Sequence, residues 1–381
     1  MQGKNRDKAM DKKTIVCVVG ARPNFMKMAP IIKAFGALQG QVTPYLVHTG
    51  QHYDQDMKAS FFQQLGIPEP DIDLGVGSGS HSEQTANIML RFEPVLDKVK
   101  PCAVLVVGDV NSTIACSLVA VKKQIPILHV EAGLRSRDRE MPEEINRILT
   151  DQISDRLFTT ERSAEQNLIN EGIDSNRVCF AGNVMIDSLL ANLEHAILFT
   201  DTLSAYQKNT NIQQGNYALL TMHRPSNVDD PVILKSLLHS IVELSQKIPV
   251  IFPIHPRTRN RIEQDGLLDL ISTGNIICLP PVGYLQMLGL MKSAKMVLTD
   301  SGGLQEETTA LGIPCVTLRE NTERPITVEQ GTNTIVGTDP EKIKACADEI
   351  LATGGKSGRI PEYWDGNAAQ RIVEDIQKNY L

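Results

Sequence analysis

The chain has 381 residues, 41% apolar and 22% charged, and a net charge of −7. That is too long for one compact α/β domain and suits two of ordinary size. The acidic balance leaves no basic excess for a nucleic-acid backbone, and no apolar run is long enough to span a bilayer.

The first thirteen residues are polar, with no apolar signal core. The seven cysteines fall singly at 17, 102, 116, 179, 278, 315 and 346, without C-x-x-C or Cys/His metal spacing. Reduced, mostly buried thiols in a cytoplasmic protein with no bound metal are therefore expected.

Short apolar, β-branched runs then alternate with helix-patterned segments. Strands are expected at Thr14–Val19, Val42–Val47, Ala103–Val107, Ile127–Val130, Arg156–Thr159 and Val178–Phe180. Helices are expected between them, at Met26–Leu38, Gln55–Leu65, Ser82–Val99, Ser112–Lys123, Glu143–Ile153 and Ser163–Glu171. The second half repeats the plan, with strands at Tyr217–Leu220, Val250–Phe252, Ile276–Leu279, Met296–Leu298, Cys315–Thr317 and Thr334–Val336. Continuous apolar strands separated by helices predict parallel sheets covered on both faces. The expectation is α/β: two Rossmann-like, doubly wound domains, residues 1–183 joined by a C-terminal helix over 366–381, and residues 184–365. Ligands of such sheets bind outside the carboxyl ends of the strands, so a cleft between the domains is the expected site.

The motifs fall after strands. Gly20-Ala21-Arg22-Pro23-Asn24-Phe25-Met26-Lys27 closes the first strand and opens a helix, with Pro23 in its first turn. Arg22 and Lys27 there suit a diphosphate, and suit equally a capped helix with two surface cations. The segment lacks the G-x-G-x-x-G dinucleotide fingerprint, which counts against NAD. Asp109 follows the third strand, Glu131 ends the next, and Glu143 opens the helix after it. Asp109 and Glu143 can each be explained as helix N-terminal charges. Glu131 ends an apolar strand before a glycine loop, and the three together suggest a pocket for proton transfer.

In the second half, His223 follows the first strand in Thr221-Met222-His223-Arg224-Pro225 and is an acid/base candidate. His255, in Ile254-His255-Pro256-Arg257, repeats the arrangement as a second cationic contact. Thr299-Asp300-Ser301-Gly302-Gly303-Leu304-Gln305-Glu306-Glu307 carries the most specific signal. Its two glycines let the backbone of Ser301, Gly302 and Gly303 meet a phosphate at a helix start, and Glu307 lies one turn on, suited to a ribose diol. Arg324, in Thr322-Glu323-Arg324-Pro325, is available to the same anion.

The ordered set Gly20–Lys27, Gly108-Asp109, His129–Arg135, Pro142–Arg147, His223-Arg224, Asp300–Glu307 and Thr322–Pro325 resembles the non-hydrolysing UDP-N-acetylglucosamine 2-epimerase family over essentially the whole chain. The resemblance implies a glycosyltransferase-B-like architecture, a homodimer and a role in polysaccharide biosynthesis. It implies that Asp109, Glu131, Glu143 and His223 are catalytic and that Lys27 is functional beside them. It places Arg22, Ser301, Glu307 and Arg324 on UDP, the leaving group of an anti elimination across C1–C2 that is followed by re-addition, with no cofactor.

Departures are also legible. Many bacterial members bind a second UDP-N-acetylglucosamine as activator through a Gln-His-Arg-type segment and a helix arginine. Here the segment reads Gln51-His52-Tyr53-Asp54 and Asn87 takes the arginine's place, so an enzyme without that site is expected. Val282 and Met287 replace a family glutamine and aromatic residue near the uracil. The run from Ser136 to Met141 also differs from the commonest bacterial form, which leaves a modified sugar such as a diacetamido uronic acid open. A hydrolysing epimerase, a UDP-sugar glycosyltransferase and a non-catalytic UDP-sugar sensor are the competing readings.

Overall fold

The computed structural model describes residues 12–38, 40–50, 66–208 and 211–381. The expected helix Gln55–Leu65 and the segment Gln51-His52-Tyr53-Asp54 lie outside the described residues. The contacts divide the chain into an N-terminal unit, Met1–Ser188 with Asp365–Leu381, and a C-terminal unit, Leu189–Trp364.

In the N-terminal unit the strands are β1 (Lys13–Val19), β2 (Val42–His48), β3 (Ile72–Asp73), β4 (Ala103–Val107), β5 (Ile127–Ala132), β6 (Arg156–Thr159) and β7 (Val178–Phe180). They form one sheet in the order β3-β2-β1-β4-β5-β6-β7, parallel throughout. Alternate residues serve opposite faces. Ile15, Cys17 and Val19 join Leu105, Val107, Leu128 and Val130 in one buried cluster, while Val16 and Val18 join Val104, Val106 and Ile127 in another. A side chain of this kind contributes about 1.5–3 kcal/mol when fully buried, so both helical layers are needed to hold the sheet.

The helix Ala368–Tyr380 returns to this unit. Its Ala369, Ile372, Val373 and Ile376 pack in the first cluster with Met28, Ile31 and Phe35 of the helix Arg22–Gly36. Its first turn is held by the Asp187 carboxylate, which accepts the N–H groups of Ala368 at 3.2 Å and Ala369 at 2.7 Å. Burial pushes the Asp187 carboxyl up, and these two donors partly offset it.

The C-terminal unit contains β8 (Ala218–Thr221), β9 (Val250–Pro253), β10 (Ile276–Leu279), β11 (Met296–Thr299), β12 (Cys315–Thr317) and β13 (Asn333–Ile335). Their order is β10-β9-β8-β11-β12-β13, again parallel. Both sheets therefore reverse direction once, between β1 and β4 and between β8 and β11. Such a switch point opens a crevice at the strand carboxyl ends, and most of the motif residues lie at these two places.

Two features differ from the sequence expectation. β3 pairs with β2 only through Ile72 and Asp73, too short a run for any periodicity to mark. β5 continues past Val130 to Ala132, with its register against β6 shifted at that point. Among the described residues no helix is long and apolar enough to cross a membrane.

Candidate active site

In the N-terminal unit the switch point is built around backbone that approaches closely. Asn24 Oδ1 accepts the N–H groups of Gly20 (3.2 Å) and Ala21 (3.0 Å), and its Nδ2 donates to Val107 O (3.0 Å). One side chain thus ties the start of the first helix to the end of β4. Lys27, on the same helix, reaches Glu131 with Nζ 2.8 Å from Oε1 and 2.7 Å from Oε2, and both residues are buried. A Cβ on Gly108 would stand 3.0 Å from Lys27 Nζ and 3.8 Å from Glu131 Oε1, so glycine there lets the pair sit against the backbone.

Glu131 occupies the left-handed region at φ +69, where β5 shifts register. A β-bulge re-aims a side chain, and the conformation costs a non-glycine residue about 1–2 kcal/mol. Buried polar groups brace the kink on both sides. His129 presents Nε2 to Gly108 O at 2.9 Å and Nδ1 to Asp151 Oδ1 at 2.7 Å. The other Asp151 oxygen accepts the Gly133 N–H at 3.1 Å and meets Arg135 Nη1 at 2.8 Å.

Asp109 lies at the neighbouring strand end, since the preceding Gly108 donates its N–H to Val130 O at 3.0 Å. Its carboxylate accepts Arg147 Nε at 2.9 Å, and its carbonyl accepts Asn146 Nδ2 at 2.9 Å. Asn146 and Arg147 stand three and four residues after Glu143 in the helix Pro142–Ile153, so Glu143 lies on the face that meets Asp109. Glu143 is half-buried, and its carboxylate makes no hydrogen bond or ion pair among the described residues. The adjacent Glu144 is structural instead: it pairs with Arg147 and accepts the Ser136 and Arg137 N–H groups at 3.0 and 2.9 Å. The Arg22 side chain lies outside the described residues.

The C-terminal unit's switch point centres on Asp300, which is fully buried after β11. Its Oδ2 accepts the N–H groups of His223 and Arg224, each at 2.8 Å, and its Oδ1 meets His223 Nδ1 at 2.9 Å. Burial opposes ionisation of Asp300, but the His223 ring and these N–H donors hold its pKa below the ordinary carboxylate value.

The helix Gly302–Leu311 starts from the same strand end. Ser301 makes no side-chain cap, and Gly302 and Gly303 donate to no protein acceptor among the described residues. Such free N–H groups at a helix start are suited to an anion. Ser301 differs from the expectation of a backbone contact: its N–H already goes to Thr299 Oγ1 at 3.0 Å, which leaves its hydroxyl.

His255, expected as a second cationic contact, also has a local structural task. It caps the helix Pro256–Gln264, with Nδ1 accepting the Arg257 N–H at 3.2 Å. Burial, and then the nearby His223, push its pKa below the usual histidine value. With Nδ1 accepting, Nε2 is the ring nitrogen left to donate.

Arg324 is buried with Nε 2.8 Å from Glu306 Oε1, so its charge is largely met within the protein. Glu307 accepts the Tyr284 hydroxyl at 3.1 Å. A Cβ on Gly302 would stand 2.6 Å from Glu323 Oε1, so the loop after β12 closes over the glycine. The residues that sequence reasoning missed are Asn24, Asp151, Arg147, Tyr284 and the role of Asp300. All lay near or inside quoted motifs, but their partners are remote in sequence.

The family model of UDP-N-acetylglucosamine 2-epimerase matches residues 37–377. The chain belongs to this family. Among members of the UDP-N-acetylglucosamine 2-epimerase family, a Methanococcus maripaludis protein named UDP-N-acetylglucosamine 2-epimerase is 43% identical, over 94% of this chain and 97% of its own length. A Pseudomonas aeruginosa protein named UDP-2,3-diacetamido-2,3-dideoxy-D-glucuronate 2-epimerase is 42% identical, over 96% of this chain and 99% of its own. The crystal structure of the Methanocaldococcus jannaschii UDP-GlcNAc 2-epimerase in complex with UDP-GlcNAc and UDP superposes with a TM-score of 0.87. It is 41% identical and covers 96% of this chain and 100% of the other.

Proposed function

We propose that the chain inverts C2 of a UDP-linked acetamido sugar, interconverting UDP-N-acetylglucosamine and UDP-N-acetylmannosamine. The observation that carries this reading is the pair of equipped switch points. One holds carboxylates suited to proton transfer, and the other holds an open helix N-terminus suited to a diphosphate.

The C2 hydrogen is not α to a carbonyl, so it becomes acidic only as UDP leaves C1 and positive charge builds there. The C1–O bond breaks with its electrons going to UDP, and the C2 proton passes to a protein base. The product is a 2-acetamidoglucal, and re-addition of UDP and of a proton on the opposite face gives the epimer. In this reading Asp109, Glu131, Glu143 and His223 supply the acid and base, and Lys27 holds Glu131. Gly302 and Gly303 receive the departing charge through their N–H groups. Arg22, His255, the Ser301 hydroxyl and Arg324 add donors, and Glu307 takes the ribose.

The test is an NMR time course of UDP-N-acetylglucosamine with purified protein in deuterated water. C2 epimers and deuterium at C2 are expected, and the absence of both from every UDP-sugar tried overturns the reading. Release of free N-acetylmannosamine with UDP identifies a hydrolysing epimerase instead. The relative named for a diacetamido uronate is as similar as the one named for N-acetylglucosamine. UDP-2,3-diacetamido-glucuronic acid is therefore the second substrate for the same experiment.

A cytoplasmic homodimer completes the proposal. Seven free thiols suit a reducing compartment. Leu90, Val121 and Leu149 stand exposed on the helices His81–Val99, Asn111–Lys122 and Pro142–Ile153 of the N-terminal unit, the middle one packed against the other two, and suit a second copy. Sedimentation of the purified protein as a monomer removes the dimer.

A further inference from the structure

The relation between Asp300 and His223 goes beyond two charges meeting. Asp300 is fully buried at the end of β11, and it grips the loop after β8 at several points. Besides the His223 and Arg224 N–H groups and the His223 ring, it is approached by Asn227 Nδ2 at 3.4 Å, and its own carbonyl accepts Arg224 Nε at 3.1 Å. His223 Nδ1 lies at ion-pair distance from a carboxylate that can only accept, so the proton belongs on Nδ1. The His223 side chain is 41% exposed. Nε2 is thus the nitrogen left for a substrate, and the ring stands at the strand end from which the helix Gly302–Leu311 starts.

We propose that Asp300 is a positioning residue for the elimination, fixing His223 with Nδ1–H turned inward so that hydrogen bonding and proton transfer to the UDP-sugar occur at Nε2. The proposal rests on the reading of His223 given above. Around the dyad, among the described residues, stand His255 after β9, with its ring centroid 5.5 Å from that of His223, and Arg224, which leads to Glu323 and Arg319. None of these offers His223 Nδ1 a second acceptor. The same carboxylate fixes the backbone of the His223 loop, so ring orientation and loop position are set together.

Asp300→Asn separates the two tasks. The carboxamide oxygen still accepts the two backbone N–H groups, while its NH2 now faces Nδ1 and moves the proton to Nε2. The experiment measures kcat, UDP affinity and the 15N shifts of the His223 ring in wild type and D300N, with His223→Gln assigning the resonances. The expected result is a kcat lower by about 10²–10⁴-fold, UDP affinity within about threefold (under one decade of Kd), and a ring that switches from the Nδ1–H to the Nε2–H form. A kcat within about threefold of wild type (about 0.6 kcal/mol in the barrier), or an unchanged ring form, overturns the proposal. His223→Ala distinguishes the two failures: if it too retains turnover, the reading of His223 has failed and the positioning role with it. If D300N does not fold, the wild-type spectrum decides, because an unprotonated Nδ1 on His223 overturns the proposal directly.

Discussion

Lys27 and Glu131 form a buried ion pair across 104 residues of sequence, with Nζ 2.8 Å from Oε1. Removing a charge from water costs several kcal/mol, which its partner must offset at close range. The pair also joins the first helix to the kinked end of β5, so one contact couples the local fold to the proposed chemistry.

Lys27→Met removes this cation from the buried Glu131. A loss of about 3–5 kcal/mol in unfolding free energy is expected, together with a large fall in turnover. Urea unfolding measures the first. A cost below about 1 kcal/mol, the range of an exposed pair, would show that the pair does not stabilise this unit. The double variant K27M/E131Q is expected to recover part of the loss.

The left-handed backbone of Glu131 gives a comparison in which the lost charge cancels. Glu131→Ala and Glu131→Gly both remove the carboxylate and leave Lys27 unpaired, but only glycine relaxes at φ +69. The glycine variant is expected to be more stable by about 1 kcal/mol, and both are expected to lose turnover. Parallel denaturant titrations check the order, and an alanine variant as stable as the glycine one removes the strain.

Gly302 has its Cβ direction closed by Glu323 Oε1 at 2.6 Å. Gly302→Ala must displace that carboxylate, which pairs with Arg319 at 2.8 Å, and it also crowds the first-turn N–H groups. UDP affinity is expected to fall by about tenfold or more, about 1.4 kcal/mol. Isothermal titration with UDP tests this, and an unchanged Kd would place the diphosphate elsewhere.

Asp300 and Asp187 respond to pH with opposite sign. The folded pKa of Asp300 lies below its unfolded value, because the His223 ring and the N–H donors of Arg224 and His223 outweigh the opposing desolvation. Its stabilisation is therefore present above the unfolded pKa, about 3.9, and is lost as pH falls through the folded value. Asp187 is raised by burial, so its contribution is full below the unfolded pKa and is lost as pH rises through the folded one. Unfolding measured from pH 3 to pH 8 (from about one unit below the ordinary Asp pKa upward) is expected to show Asp187→Asn gaining on wild type as pH rises, and Asp300→Asn falling behind. Parallel curves for wild type and either variant would contradict that residue's assignment.

The amino-acid sequence by itself determined the parallel α/β plan and marked most of the residues proposed for the chemistry. Ile15 to Val19 is a continuous apolar run because both of its faces are buried, and that alone predicts a sheet covered on both sides. Glu131, His223 and Gly302-Gly303 were legible because each ends a strand or begins a helix. β3 was not, since two residues make no pattern, and neither was the passage of β5 through Glu131. Only the tertiary structure decided which partner each group meets. Glu131 meets Lys27, Asp300 meets His223 and Asp187 meets Ala369 across 104, 77 and 182 residues of chain. It also decided that His255 caps the helix Pro256–Gln264 and that Glu144, not Glu143, belongs to the scaffold. Those outcomes depend on distance and burial, and a linear pattern specifies neither until strands remote in sequence lie side by side.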